Sequence, residues 1–269
     1  MNRKKNRNIG MWVLWIAVLG CNLTRTTLIT PSPEPSATPM IESGWHVLAS
    51  GIEWRSEVID ITPHLQAQVF LLRFDPALVT FRVHYSPGDP HDLNTWRDLL
   101  PGAAVIVNAN FFDESDQALG LVVSEGEIFG QSLIGFGGMF QVDGNGVRVR
   151  SLVYEPYYGE ALVQAAQGFP MLIENGGTLA PQDEGFTQRS RRTAIGQDQQ
   201  GRIVLVVIPY SIISLAELQQ WLVAGDLNLN VAFGLDGGRS TGLAINTANR
   251  TELYPAFDRL PTVIAVYTN

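Results

Sequence analysis

Val231-Ala-Phe-Gly-Leu235-Asp236-Gly-Gly-Arg239-Ser240-Thr-Gly242 is the stretch on which the reading of this chain turns. An apolar run from Val231 to Leu235 stops at one carboxylate, and two glycines, a guanidinium and two hydroxyls follow. A strand that ends this way sets Asp236 at a sheet edge, partly buried. The turn of Gly237 and Gly238 beside it offers bare N–H groups that an anionic or hydroxylated ligand can approach closely. Asp-Gly-Gly is also ordinary hairpin-turn chemistry, with Arg239 then simply solvated. The hydroxyls of Ser240 and Thr241 are what a plain hairpin does not need.

Outward from this stretch the chain keeps a strand-and-turn rhythm, with short apolar bursts separated by Gly, Pro, Asp and Asn. Strands are expected near 45–50, 69–74, 79–84, 104–108, 120–123, 135–142 and 147–150. Further ones are expected near 161–166, 170–174, 193–197, 203–208, 231–235, 242–246 and 262–267. The segments 104–107 and 203–208 are apolar throughout, which suits strands covered on both faces. Two helices fit the pattern. Ser214-Leu-Ala-Glu217 is a capping box that opens an amphipathic run ending near Gly225, and a shorter helix spans 93–100 before Pro101-Gly102. The expected fold class is α+β: a single domain with a large mixed, strand-rich β-sheet and few helices.

The N-terminus is of another kind. Arg3, Lys4, Lys5 and Arg7 precede an apolar stretch that ends Val18-Leu19-Gly20-Cys21, and this is the chain's one cysteine. Residues 1–21 therefore read as a lipoprotein signal peptide with a lipobox, Cys21 being the lipidation site; the apolar stretch is short for a membrane-spanning helix. Residues 22–42, rich in Ser, Thr and Pro, read as an extended tether, and 43–269 as the folded domain. The expectation is an exported, membrane-anchored lipoprotein on the outer face of the bacterial cytoplasmic membrane or in the cell envelope. Of 18 basic residues four lie in the signal, leaving 14 arginines against 26 acidic residues. With no lysine beyond the signal there is no Schiff-base or P-loop chemistry in the domain, and so acidic a domain disfavours nucleic acid. A lone cysteine excludes a disulfide framework and a cysteine metal site.

Two other segments carry unusual polar groups. Asn108-Ala-Asn110-Phe111-Phe112-Asp113 follows the buried run 104–107. Either asparagine could satisfy its own backbone, and the phenylalanines suit a core plug as well as a sugar-stacking platform. Arg191-Arg192-Thr193 leads into the apolar Ala194-Ile195-Gly196. One arginine suits a solvated edge; the other, pointing along the sheet to its rim, offers a planar fork for phosphate or carboxylate. Asp113-Glu114-Ser115-Asp116 alternates carboxylates as a calcium loop would, but no Gly or distal Glu completes an EF-hand; a solvated loop is the simpler reading, and no cofactor is expected, with a divalent cation such as calcium left open.

Taken in order, these segments resemble the phosphodiester glycosidase family. The resemblance runs over Asn108–Asp113, Ala118–Gly126, Gly168–Gly176, Arg192–Gly196, the helical Leu215–Leu222 and Leu235–Ser240, within about residues 75–268. It departs from the family pattern at Arg239, where a third glycine is usual, and at Asn110. It implies an extracytoplasmic hydrolase acting on a sugar-1-phosphodiester of envelope or exogenous glycans. On that reading Asp236 is nucleophile or base and Arg192 holds the phosphate with Arg239 and the N–H groups of Gly237 and Gly238. Asn108 and Asn110 hold sugar hydroxyls; Phe111, Asp113, Thr193 and Ser240 complete the substrate site. Two other functions fit the residues: a non-catalytic polysaccharide-binding module, and a metal-assisted phosphodiesterase using Asp113, Asp116 and Asp236.

Overall fold

The computed structural model describes residues 44–269; the expected signal over 1–21 with Cys21 and the expected tether over 22–42 lie outside the described residues. Eighteen strands form three sheets. The largest has eight strands, in the order His46–Ala49, Ile52–Thr62, Leu65–Phe74, Ile203–Ile213, Ser190–Asp198, Leu229–Gly234, Met171–Glu174 and Thr178–Leu179. One five-stranded sheet is built around Gln164–Gly168, and the other places Val105–Asn108 between Leu243–Asn246 and Thr262–Thr268. Every pairing between these strands is antiparallel, so the expected single mixed sheet is corrected to three antiparallel ones. The described residues are mostly β, with two α-helices, Leu93–Leu99 and Leu215–Ala224.

Both runs expected to be central are central. Ile203–Ile213 pairs with Leu65–Phe74 on one side and Ser190–Asp198 on the other, and its residues 203–209 are all buried. One face of the large sheet packs Phe70, Leu72, Ile195, Leu205 and Phe233 against Phe81, Val105, Val107, Phe140 and Ile264 of the smaller sheets. The other face packs Leu71, Ala194, Val204 and Val206 under Leu218 and Leu222 of the second helix. A sheet apolar on both faces needs a cover on each.

The second helix starts as its sequence dictates. The Ser214 side chain accepts from Glu217 N, and the Glu217 carboxylate accepts from Ser214 N at 2.9 Å. Arg189 also pairs with Glu217 and pulls its pKa down to about 2. The helix end and the strand Ser190–Asp198 are thereby tied together beside the cleft described next.

Candidate active site

Three strands from two sheets meet at one place. Asn108 closes its strand, and the chain turns away at Ala109. Leu229–Gly234 ends two residues before Asp236, and Ser190–Asp198 passes alongside, Ala194 facing Gly234. The segments are stitched by Asp236 N donating to Ala109 O at 2.9 Å and Leu235 N donating to Thr193 O at 3.0 Å.

Asn108 is the knot of this junction. Its Nδ2 donates to Asp236 O at 2.6 Å, while its Oδ1 accepts from Thr193 Oγ1 at 2.8 Å and from Gly242 N at 3.1 Å. The residue is 1% exposed. A side chain so buried and so committed fixes the loop that carries Asp236, and it lies outside the lining of the cleft. The expectation that Asn108 holds a sugar hydroxyl gives way to a positioning role.

A cleft of about 550 Å³ opens beside the knot, lined among others by Phe111, Phe169, Arg192, Asp236, Gly237 and Gly238. The Asp236 carboxyl is pushed up to about 6, chiefly by burial and to a lesser degree by Asp258. Hydrogen bonds from the Ser240 hydroxyl and the Gly237 N–H pull the other way. Ser240 is buried in the short 3₁₀ turn Gly238–Ser240 that follows, and Gly238 opens that turn at φ 59°, a backbone shape that favours glycine.

Arg192 projects into the same cleft. Its Nε donates to Ile213 O at 3.0 Å and its Nη2 to Gln188 O, so two backbone carbonyls brace the guanidinium. Nη1 is 3.8 Å from where a side chain on Gly237 would begin. Burial pushes the Arg192 pKa down, and no carboxylate among the described residues offsets that burial. A half-buried cation without a counterion, in a cleft that also holds a half-buried carboxylate, suits an anionic ligand placed between the two.

The two arginines divide as the strand alternation requires. Arg191 turns to the other side, packs over the Phe257 ring at 4.0 Å and donates to Pro255 O at 2.9 Å and to Thr241 O. It clamps the far end of the Asp236 loop instead of reaching solvent.

Thr193, Gly237, Gly238 and Phe111 line the cleft as expected, and Ser240 reaches it through the Asp236 carboxylate. Besides Asn108, three expected ligands do not. Arg239 is exposed and paired through Nε to Asp258 Oδ1 at 2.7 Å, away from the cavity. Asp113 accepts from Ser115 N at 2.8 Å and Gln117 N at 3.0 Å, the local bonding of a turn. Asn110 is 2% exposed and donates to Leu121 O at 3.1 Å. Asp113 and Asp116 therefore sit in a turn outside the lining of the cleft that holds Asp236.

Phe111 lies flat on Phe169, ring centroids 4.2 Å apart, and Phe136 leans on Phe169 at 5.1 Å, forming an aromatic wall. Sequence reasoning missed Phe136, Phe169, Asp183, Gln188 and Ser190, all in the lining. Phe169 sits inside the Gly168–Gly176 segment and had a signal. Asp183, which caps the turn Glu184–Thr187, had none that set it apart from its acidic neighbours.

The family model described as phosphodiester glycosidase matches residues 101–267. Among solved structures, the chain is similar to the catalytic domain of zebrafish N-acetylglucosamine-1-phosphodiester alpha-N-acetylglucosaminidase, a domain auto-inhibited by its pro-peptide. That match has a TM-score of 0.65 and 19% identity and covers 83% of this chain and 86% of the other. A hypothetical protein from Synechocystis is similar with a TM-score of 0.59 and 17% identity, over 81% of this chain and 62% of that one. These identities speak for a shared fold. No curated protein matches the chain.

Proposed function

This chain belongs to the phosphodiester glycosidase family, and we propose that it hydrolyses a sugar-1-phosphodiester at the anomeric C–O bond, in the cleft of Asp236 and Arg192. The observation that carries this reading is the pairing, in one cavity, of a guanidinium that lacks a counterion with a half-buried carboxylate. The departing group is a phosphate ester, weakly basic, so cleavage demands little protonation and much charge stabilisation. Arg192 Nη1 and the N–H groups of the Gly237–Gly238 turn supply that stabilisation. The raised pKa of Asp236 suits a general base, whose strength is best matched near neutral pH, so Asp236 takes the proton from the water that attacks C1. The Phe111–Phe169 wall supports the substrate, and Asn108 keeps the carboxylate loop in place.

The protein acts outside the cytoplasm, held to the membrane by acylated Cys21 and a tether over 22–42; the signal-like residues 1–21 support this. Turnover of sugar-1-phosphodiesters by purified protein tests the assignment. Arg192→Ala is expected to lower kcat/KM by about 10²–10³-fold, whereas Arg239→Ala, outside the cleft, stays within about twofold of wild type. Undiminished turnover in Arg192→Ala refutes the phosphate role. A binding-only module predicts no release of product from any ester.

A further inference from the structure

The loop Gly130–Gly137, Gly-Gln-Ser-Leu-Ile-Gly-Phe-Gly, contains no charged residue. It exposes Leu133 at 37%, Ile134 at 67% and Phe136 at 47%, an unusual concentration on so acidic a domain. These side chains are not free to fold inward. Gln167, fully buried, accepts from Leu133 N at 3.0 Å and donates to Leu133 O and Phe136 O, each at 3.1 Å, so the loop is pinned with its apolar tips outward. The apolar surface does not stop at the rim. Phe136 continues through Phe169 to Phe111, and those rings line the cleft that holds Arg192 and Asp236.

Beyond Gln131 and Ser132 at its start, the loop's outward tips, Leu133, Ile134 and Phe136, offer a second sugar few partners. The carbonyls of Leu133 and Phe136 and the Leu133 N–H are spent on Gln167, and hydroxyl groups laid against phenyl and aliphatic carbons lose water without replacement. An alkyl chain gains from the same surface, at up to about fourfold in affinity for each methylene fully buried. We propose that the group across the phosphate from the sugar is an apolar alcohol chain, running along Phe111, Phe169 and Phe136 and leaving over Leu133 and Ile134. This deepens the phosphodiester glycosidase reading and rests on it.

Binding of methyl, butyl and octyl phosphate, measured by calorimetry on the full chain kept soluble with an amphipathic polymer, tests the inference without requiring turnover. The expected result is affinity rising at least tenfold from methyl to octyl phosphate. In the Leu133→Ser, Ile134→Ser double variant, whose exposed positions leave the core and the Phe111–Phe169–Phe136 wall untouched, methyl phosphate binds as in wild type and the octyl gain shrinks at least threefold from its wild-type value. A flat series in wild type overturns the proposal, and so does a steep series that the double variant leaves unchanged. Mannose 6-phosphate binding more tightly than octyl phosphate overturns it too. Turnover of the methyl and octyl esters of a sugar 1-phosphate separates the two readings. A steep binding series with neither ester cleaved sinks the hydrolase and supports the apolar subsite; cleavage of both at equal kcat/KM, with a flat series, does the reverse.

Discussion

At Asp236 the fold holds a carboxyl group where burial resists its charge while two hydrogen bonds and the nearby loop keep it in one orientation. Its folded-state pKa, about 6, is above the ordinary 3.8. The folded protein therefore binds this proton more tightly than the unfolded chain does. The stability that comes from this is full below about pH 4 and is lost as pH rises through about 6. Asp236→Asn is accordingly expected to melt at or above the wild-type temperature at pH 7.5, with the difference closing towards pH 4 in a thermal-melt series. The same variant is expected to lose about 10²–10⁴-fold in kcat, and wild-type kcat/KM is expected to rise with pH through an apparent pKa near 6. Rate falling through that pKa would make the group an acid instead of a base. Asn108 is a different kind of residue. Asn108→Ala orphans Thr193 Oγ1, Gly242 N and Asp236 O together, at about 1 kcal/mol or more apiece. Urea unfolding is expected to show a loss of about 2–4 kcal/mol, together with lower kcat because the Asp236 loop is no longer fixed. The sequence singled out both residues. It could not tell the ligand from the brace, because burial and bond count are properties of the packed junction and not of Asn as a residue type.

The elements were legible where one force dominated. Uniform apolarity placed Ile203–Ile208 at a sheet centre, and the Ser214–Glu217 box started the second helix. The strand Ile52–Thr62 escaped although Glu53, Arg55 and Glu57 alternate with Ile52, Trp54 and Val58; the alternation slips only at Val58-Ile59. Those charges are accommodated by pairing: Arg55 bonds Asp226 at 2.6 and 2.8 Å, and Glu53 meets Arg73. The strand Gln164–Gly168 matters most for the cleft. It ends at Gly168, where a β-carbon would run into Gly234 O and lie 2.9 Å from the Phe233 ring. Only hydrogen fits there, and the next residue is Phe169 of the aromatic wall. Gly168→Ala is therefore expected to lower the melting temperature by several degrees and to raise KM more than it lowers kcat, since it shifts the wall and leaves Asp236 tied to Ala109. Equal KM values for the variant and wild type would detach the wall from substrate binding.

For the chain beyond residue 21, composition excludes lysine chemistry, disulfides and thiol nucleophiles. The division into three sheets was not in reach of local pattern. Pairings such as Val263 with Asn108 and Ala194 with Gly234 join residues far apart in sequence, and nothing in either segment names its partner. Those long-range pairings gather the segments of Asn108, Arg192 and Asp236 at one cleft, between a large sheet and its neighbours. The catalytic reading depends on that convergence, with the phosphate taken by the guanidinium and water delivered to the sugar carbon. Hydrolysis of a sugar-1-phosphodiester in ¹⁸O-labelled water, with both products weighed by mass spectrometry, tests it most directly. The account predicts the label on the anomeric oxygen of the released sugar and none in the phosphate monoester. Label in the phosphate product would show P–O cleavage and contradict it.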